Sequence, residues 1–179
     1  MPTSIFQAMQ DFINEPQHRA AIDRACDECQ SELCTRSPLE MAYRAVISEL
    51  KLTGEMADLR SLWVFAFAPG GVSDIHRHSN STQYTRAWRG RGWMRVGDPE
   101  SPVEVALPPA ADANAIEQQW TVISPGVFHQ GASTADGADG WCVVSFQTAA
   151  ATELQDEPYD GEPRYYIGET LDGLGAPRI

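Results

Sequence analysis

Up to about residue 50 the apolar positions return at helical spacing; after about residue 58 they come in short runs broken by glycine and proline. In the first region Ile5, Phe6, Met9, Phe12 and Ile13 share one face, behind a capping box of Ser4 and Gln7. Pro16 ends or restarts that helix, and Ile22, Cys26, Cys29 and Leu33 form a second stripe. Ser37, Pro38 and Glu40 mark a third start, as N-cap serine, proline at the first helical position and glutamate at the third. Met41, Ala42, Ala45, Val46 and Leu50 follow on one side. The pattern predicts an N-terminal helical extension of about three helices over residues 1–57.

The second region reads as strands: Ser61 to Ala68, Val72 to His78, Gln83 to Arg89, Trp93 to Val96, Val103 to Leu107, Trp120 to Ile123 and Trp141 to Gln147. Successive strands with no helical crossover between them predict an antiparallel sandwich or barrel over residues 58–148, so the fold class is mainly β. The polar run from Ala132 to Gly140 is a loop between two of these strands. Residues 149–179 carry no strong period, and their Pro, Gly and Tyr content predicts a C-terminal wrap of the same domain.

Charge narrows the partners. The 179 residues carry a net charge of −12 and a pI near 4.6, a field that repels phosphate backbones and anionic lipid. Neither nucleic acid nor a membrane is an expected partner. No apolar run reaches the ~18 to 20 residues of a membrane helix, and the start lacks a basic leader, so a cytoplasmic location is expected. Cys26, Cys29, Cys34 and Cys142 are then expected to be reduced. The first three have no second pair to complete a zinc site and read as helix packing. Asp27-Glu28 and Asp156-Glu157 read as solvated surface. No P-loop, dinucleotide-binding glycine pattern or G-x-S-x-G elbow occurs.

Three of the four histidines lie in the β region. His76 and His78, two apart on one strand, leave the same face, and His129 follows a Pro125-Gly126 turn much later. Imidazoles converging from separate strands can hold one metal, and neutral imidazole suits Fe, Zn, Cu and Ni alike. Gly70, His76, His78, Gln83 and Gly90 stand at the spacings of the first cupin motif, with glutamine where glutamate is usual. Of the second motif Gly126 and His129 keep their spacing, while Pro125 is displaced by one and Ser133 stands for asparagine. Over about residues 60 to 147 the chain thus resembles a cupin, and within that superfamily the three-histidine metal-dependent dioxygenases.

The resemblance implies a cupin-type double-stranded β-helix, a jelly-roll barrel, in which His76, His78 and His129 hold one divalent ion. Fe(II) is the expected metal, with Zn, Ni or Mn as alternatives. It also implies a homodimer. A neutral Gln83 leaves the full charge on the ion, which favours an anionic or chelating small molecule: a phenol, hydroxy-ketone, diketone or thiol. Gln83 would either bind the metal or orient substrate or water beside it. Strand alternation from Gln83 carries Thr85, Ala87 and Arg89 inward, making Arg89 a candidate clamp for a substrate anion, while Tyr84, Arg86 and Trp88 face the helices or a partner. Trp63, Phe65 and Phe67 share a face, and Tyr159, Tyr165 and Tyr166 are candidate lid residues. An Fe(II) dioxygenase is the leading expectation. A redox-neutral isomerase, decarboxylase or lyase and a non-enzymatic small-molecule-binding cupin are the alternatives.

Overall fold

A computed structural model of the chain describes residues 4–35, 41–107, 115–135, 140–160 and 164–165. Two helices come first, α1 (Ile5–Asn14) and α2 (Pro16–Thr35). Ser4 caps α1 by accepting from the Gln7 backbone N–H, as the capping box predicts, although the Gln7 side chain turns to Asp11 instead. Pro16 restarts the chain as the first residue of α2, where its missing N–H costs nothing.

Residues 41–47 correct the helical expectation: Met41–Ile47 is a strand, β1, so the described residues hold two α-helices rather than about three. The start signals at Ser37, Pro38 and Glu40 fall outside the described residues. Tyr43, Val46 and Ile47 suit an extended backbone, and β1 finds a complete partner in β2 (Ser61–Phe67), running antiparallel from Met41 opposite Phe67. Pairing with an existing sheet outweighs a helical stripe made largely of alanine and methionine.

The remaining strands are β3 (His76–Arg77), β4 (Gln83–Gly90), β5 (Gly92–Val96), β6 (Val103–Leu107), β7 (Thr121–Ile123), β8 (His129–Ser133), β9 (Trp141–Gln147), β10 (Gln155–Pro158) and β11 (Arg164–Tyr165). They form two antiparallel sheets, five-stranded in the order β1-β2-β9-β4-β7 and six-stranded in the order β11-β10-β3-β8-β5-β6. From β2 to β5 and from β6 to β10 consecutive strands alternate between the sheets, as in a jelly roll, whereas β1 and β2, β5 and β6, and β10 and β11 pair within one sheet.

The five-stranded sheet is covered on both sides, which is why every residue of β2 and β9 is buried. On its outer face Leu62, Val64, Val144 and Phe146 meet Met9, Ile13, Ile22 and Cys26 of the helices. Each such apolar side chain contributes roughly 1.5–3 kcal/mol on burial. On its inner face Trp63, Phe65, Phe67, Trp141 and Val143 turn toward the second sheet. The aromatic face seen in the sequence is therefore the barrel's lining.

Candidate metal centre

His76 of β3 sits directly opposite His129 of β8, and His78 follows β3 on the same face. The ring centroids lie 4.3 Å apart for His76 and His129, 5.1 Å for His78 and His129, and 5.2 Å for His76 and His78. All three side chains are buried, with 2–7% of their surface exposed. Each Nδ1 faces a backbone carbonyl: Asp74 at 2.9 Å for His76, Gln155 at 3.0 Å for His78 and Val127 at 3.2 Å for His129. A carbonyl oxygen only accepts, so each Nδ1 donates and each Nε2 is left with its lone pair. The three ligand atoms lie within 4.8 Å of one another.

That arrangement fits a divalent cation. The Nε2 of His129 is fully buried and has no hydrogen-bond partner, a state that costs about 1–3 kcal/mol unless something binds there. Three neutral donors with one shared tautomer, each steered by its other nitrogen, are what a metal ligand set needs.

Burial also keeps the His78 and His129 rings neutral. It is the largest cause pushing His78 down to about 3, with the neighbouring His76 adding to it and the Gln155 carbonyl and the Gln83 side chain opposing. His129 is lowered in the same direction by burial, then by His76 and His78. The unfolded chain takes up these protons near pH 6.5, while the folded chain resists until far lower pH. Stability of the metal-free protein is therefore present above about pH 6.5 and lost as pH falls, by about 1.4 kcal/mol per pH unit for each such histidine. Thermal unfolding of the metal-free protein at pH 7 and pH 5 should show the lower midpoint at pH 5, with a shallower fall in His129→Gln. Equal slopes for the two proteins would contradict the assignment.

The imidazoles form one end of a cavity whose empty space, including the part open to solvent, is about 360 Å³. Phe65, Phe67, Met94, Trp141 and Val143 make most of its wall apolar. Gln83 is 5% exposed and lines the cavity beside the histidines. Asp156 of β10 is also buried, with Oδ1 4.0 Å from Nε2 of His76. The surface reading of this residue is thereby corrected. Only Glu157 behaves as surface, pairing with Arg77 at 2.8 Å. Along Gln155–Pro158 the side chains alternate, and Asp156 takes the inward face. The buried carboxylate also means that a cation here would meet a negative charge that a count of first-motif ligands misses.

Two facing antiparallel sheets thus enclose three imidazoles supplied by the six-stranded one. The fold is that of a cupin. Among solved structures the chain is similar to oxalate oxidase in complex with the substrate analogue glycolate, at 16% identity and a TM-score of 0.47 over 64% of this chain. It spans about half, 54%, of that oxalate oxidase chain. A cupin-2 domain protein from Rhodospirillum rubrum is 21% identical, with a TM-score of 0.46 over 70% of this chain and 65% of that one. The polyketide cyclase RemF from Streptomyces resistomycificus is 17% identical, with a TM-score of 0.45 over 69% of this chain and 73% of that one. No family model matches the sequence, and no curated protein does. At such low identities and TM-scores these likenesses carry no activity to this chain.

Arg89 does not reach the cavity, which corrects its expected place in the site. Between Ala87 and Arg89 the pairing of β4 with β9 slips by one residue. Such a bulge turns the following side chain to the other face. Arg89 lies there against α2, bonding Asp23 at 2.8 Å and Asp27 at 2.5 Å. Burial alone would raise the Asp23 carboxyl, but hydrogen bonds from Trp88 and Arg89 outweigh it and hold its pKa below the usual value. Arg86 and Trp88 face the helices as expected, donating to Gln10 and Asp23. Because Arg89 is partly exposed, Arg89→Met should cost only about 1 kcal/mol in urea unfolding and leave metal uptake unchanged. A drop in metal uptake would return Arg89 to the site.

Tyr159 is 45% exposed and meets the Phe128 ring edge-on at 5.4 Å. The side chains of Tyr165 and Tyr166 fall outside the described residues. Cys26 and Cys29 are buried in the helix–sheet core, while Cys34 is exposed. Among the described residues, His76, His78 and His129 form the one cluster of metal-ligating side chains found, so the cysteines build no zinc site there.

Proposed function

We propose that this cupin is a metal-dependent enzyme, an Fe(II) dioxygenase acting on a small chelating substrate of the phenol, hydroxy-ketone, diketone or thiol class. The observation that carries the reading is the buried three-histidine set at the end of an apolar cavity. When bound there, iron would supply a Lewis acid for an anionic substrate group and an electron source for O2. The chain's own part is to hold and exclude. His76, His78 and His129 would fix the ion, and the Asp74, Gln155 and Val127 carbonyls keep those rings in one tautomer. Phe65, Phe67 and Trp141 keep water from the reacting face and suit an apolar or aromatic substrate body. The reading places the protein in the cytoplasm, in keeping with free Cys26, Cys29, Cys34 and Cys142.

Asp156 favours a second reading. A buried carboxylate beside His76 suits proton transfer in a redox-neutral isomerase, decarboxylase or lyase. Metal analysis of the purified protein, followed by an oxygen-electrode screen of chelating substrates, separates the two. Substrate-dependent O2 uptake by the Fe(II)-loaded protein, abolished on replacing iron with zinc, is the expected result. Turnover without O2 uptake, equally supported by zinc, would establish the redox-neutral reading instead.

A further inference from the structure

The cavity has a floor, and the six-stranded sheet is shaped to hold it. Gly131 takes the next inward position of β8 after His129, and a side chain there would strike the Phe67 ring, whose Cζ lies 2.7 Å from where a Cβ would stand. Gly92 of β5, one strand over, leaves the same room for Trp141, whose Cδ2 and Cε3 press on the place of the missing Cβ. Phe67 of β2 and Trp141 of β9 thus cross the barrel from the five-stranded sheet and seat their rings on glycines of the facing one. The two are paired directly across their strands, with ring centroids 5.1 Å apart. Both are buried, and the Ser133 hydroxyl ties β8 to this end of β2 by donating to the Ala68 carbonyl.

We infer that Phe67, backed by Trp141, sets the length of the ligand, limiting the site to a metal chelator that carries a single six-membered ring. The inference rests on the metal-site reading above and deepens it. Two residues of strand span about 7 Å, so the Phe67 ring on Gly131 stands about that far along β8 from His129. That distance takes one ring lying beyond its chelating oxygens, whereas a second ring fused in line would run into Phe67. Neither floor ring has room to withdraw, because the notch behind each is already full. The walls in between, Phe65, Met94 and Val143, are apolar and offer a ring contact rather than hydrogen bonds.

The test uses the Zn(II)-loaded full-length protein and two diols with the same chelating edge, catechol and its linearly fused two-ring homologue 2,3-dihydroxynaphthalene. Calorimetric titration reads diol affinity, and chelator competition reads zinc affinity. Burial of apolar surface alone would favour the larger diol, so a weaker hold on it reports lack of room. The wild-type protein should bind catechol at least about tenfold more tightly than the fused diol. Phe67→Ala should bring the two within about threefold by strengthening the fused diol, with zinc affinity unchanged. Phe67→Leu should shift the ratio in the same direction by less, and serves if Phe67→Ala does not fold. Val64→Ala, on the other face of the same strand, controls for a loosened β2 and should keep the wild-type ratio. Equal affinities for the two diols in the wild-type protein overturn the inference, as does an unchanged preference in the Phe67 variants, and both results leave the metal site standing. Zinc binding with no affinity for either diol removes the chelating-substrate reading, and failure to take up zinc removes the metal-site reading; the inference falls with either.

Discussion

His76→Ala is expected to purify without the divalent metal that the wild-type protein retains, its affinity falling by more than the ~10–100-fold typical of losing a group behind a ligand. Three histidines are the whole cluster that the described residues offer, so removing one leaves two neutral donors and a cavity open to water. The fold should survive. His76 gives one hydrogen bond, to the Asp74 carbonyl, and losing such a bond costs about 1 kcal/mol. Elemental analysis after desalting, set beside the circular dichroism melt, checks both halves. Stoichiometric metal in a folded His76→Ala protein would place the ion elsewhere and remove the basis of the proposed chemistry.

How much of this site the sequence showed depended on whether the information was local. His76, His78 and Gln83 stand at fixed short spacings on one stretch of chain, and His129 is placed by its turn, so the histidines that converge are legible in one dimension. The place of Arg89 is not legible, because counting in twos along a strand cannot register the extra residue of a bulge, which the pairing with β9 creates. Residues 41–47 read as a helix because their apolar positions satisfy a helical stripe, and only the presence of β2 as a partner decides against it. Asp156 was hidden by its neighbour. An acidic pair looks solvated in one dimension, and only the register of β10 against β3 sends one carboxylate inward and the other out to Arg77. The hydrogen bond from Gln147 to Gln83 is out of reach for the same reason, since the two meet only through cross-strand pairing.

Asp156→Asn is expected to weaken divalent-metal binding by about tenfold to a hundredfold with no loss of fold. The side chain is fully buried, and its Oδ1 lies 4.0 Å from the Nε2 that His76 would turn to the ion. A carboxylate so placed attracts a divalent cation through a medium that screens far less than water. Asparagine keeps the shape while removing the charge and exchanging one acceptor oxygen for an NH2 donor, so the change in affinity reads polarity and charge rather than a packing defect. Glu157→Gln supplies the control. It removes the same charge one residue along, but from the outer face where Glu157 pairs with Arg77, and water there screens it, so metal affinity should hold. Competition titrations of both variants with one chelator, at one ionic strength, make the comparison. Equal losses in the two would reduce the effect to the protein's net charge, whereas a loss confined to Asp156→Asn makes the inward carboxylate part of what retains the cation, supplying the charge that a glutamine at position 83 withholds.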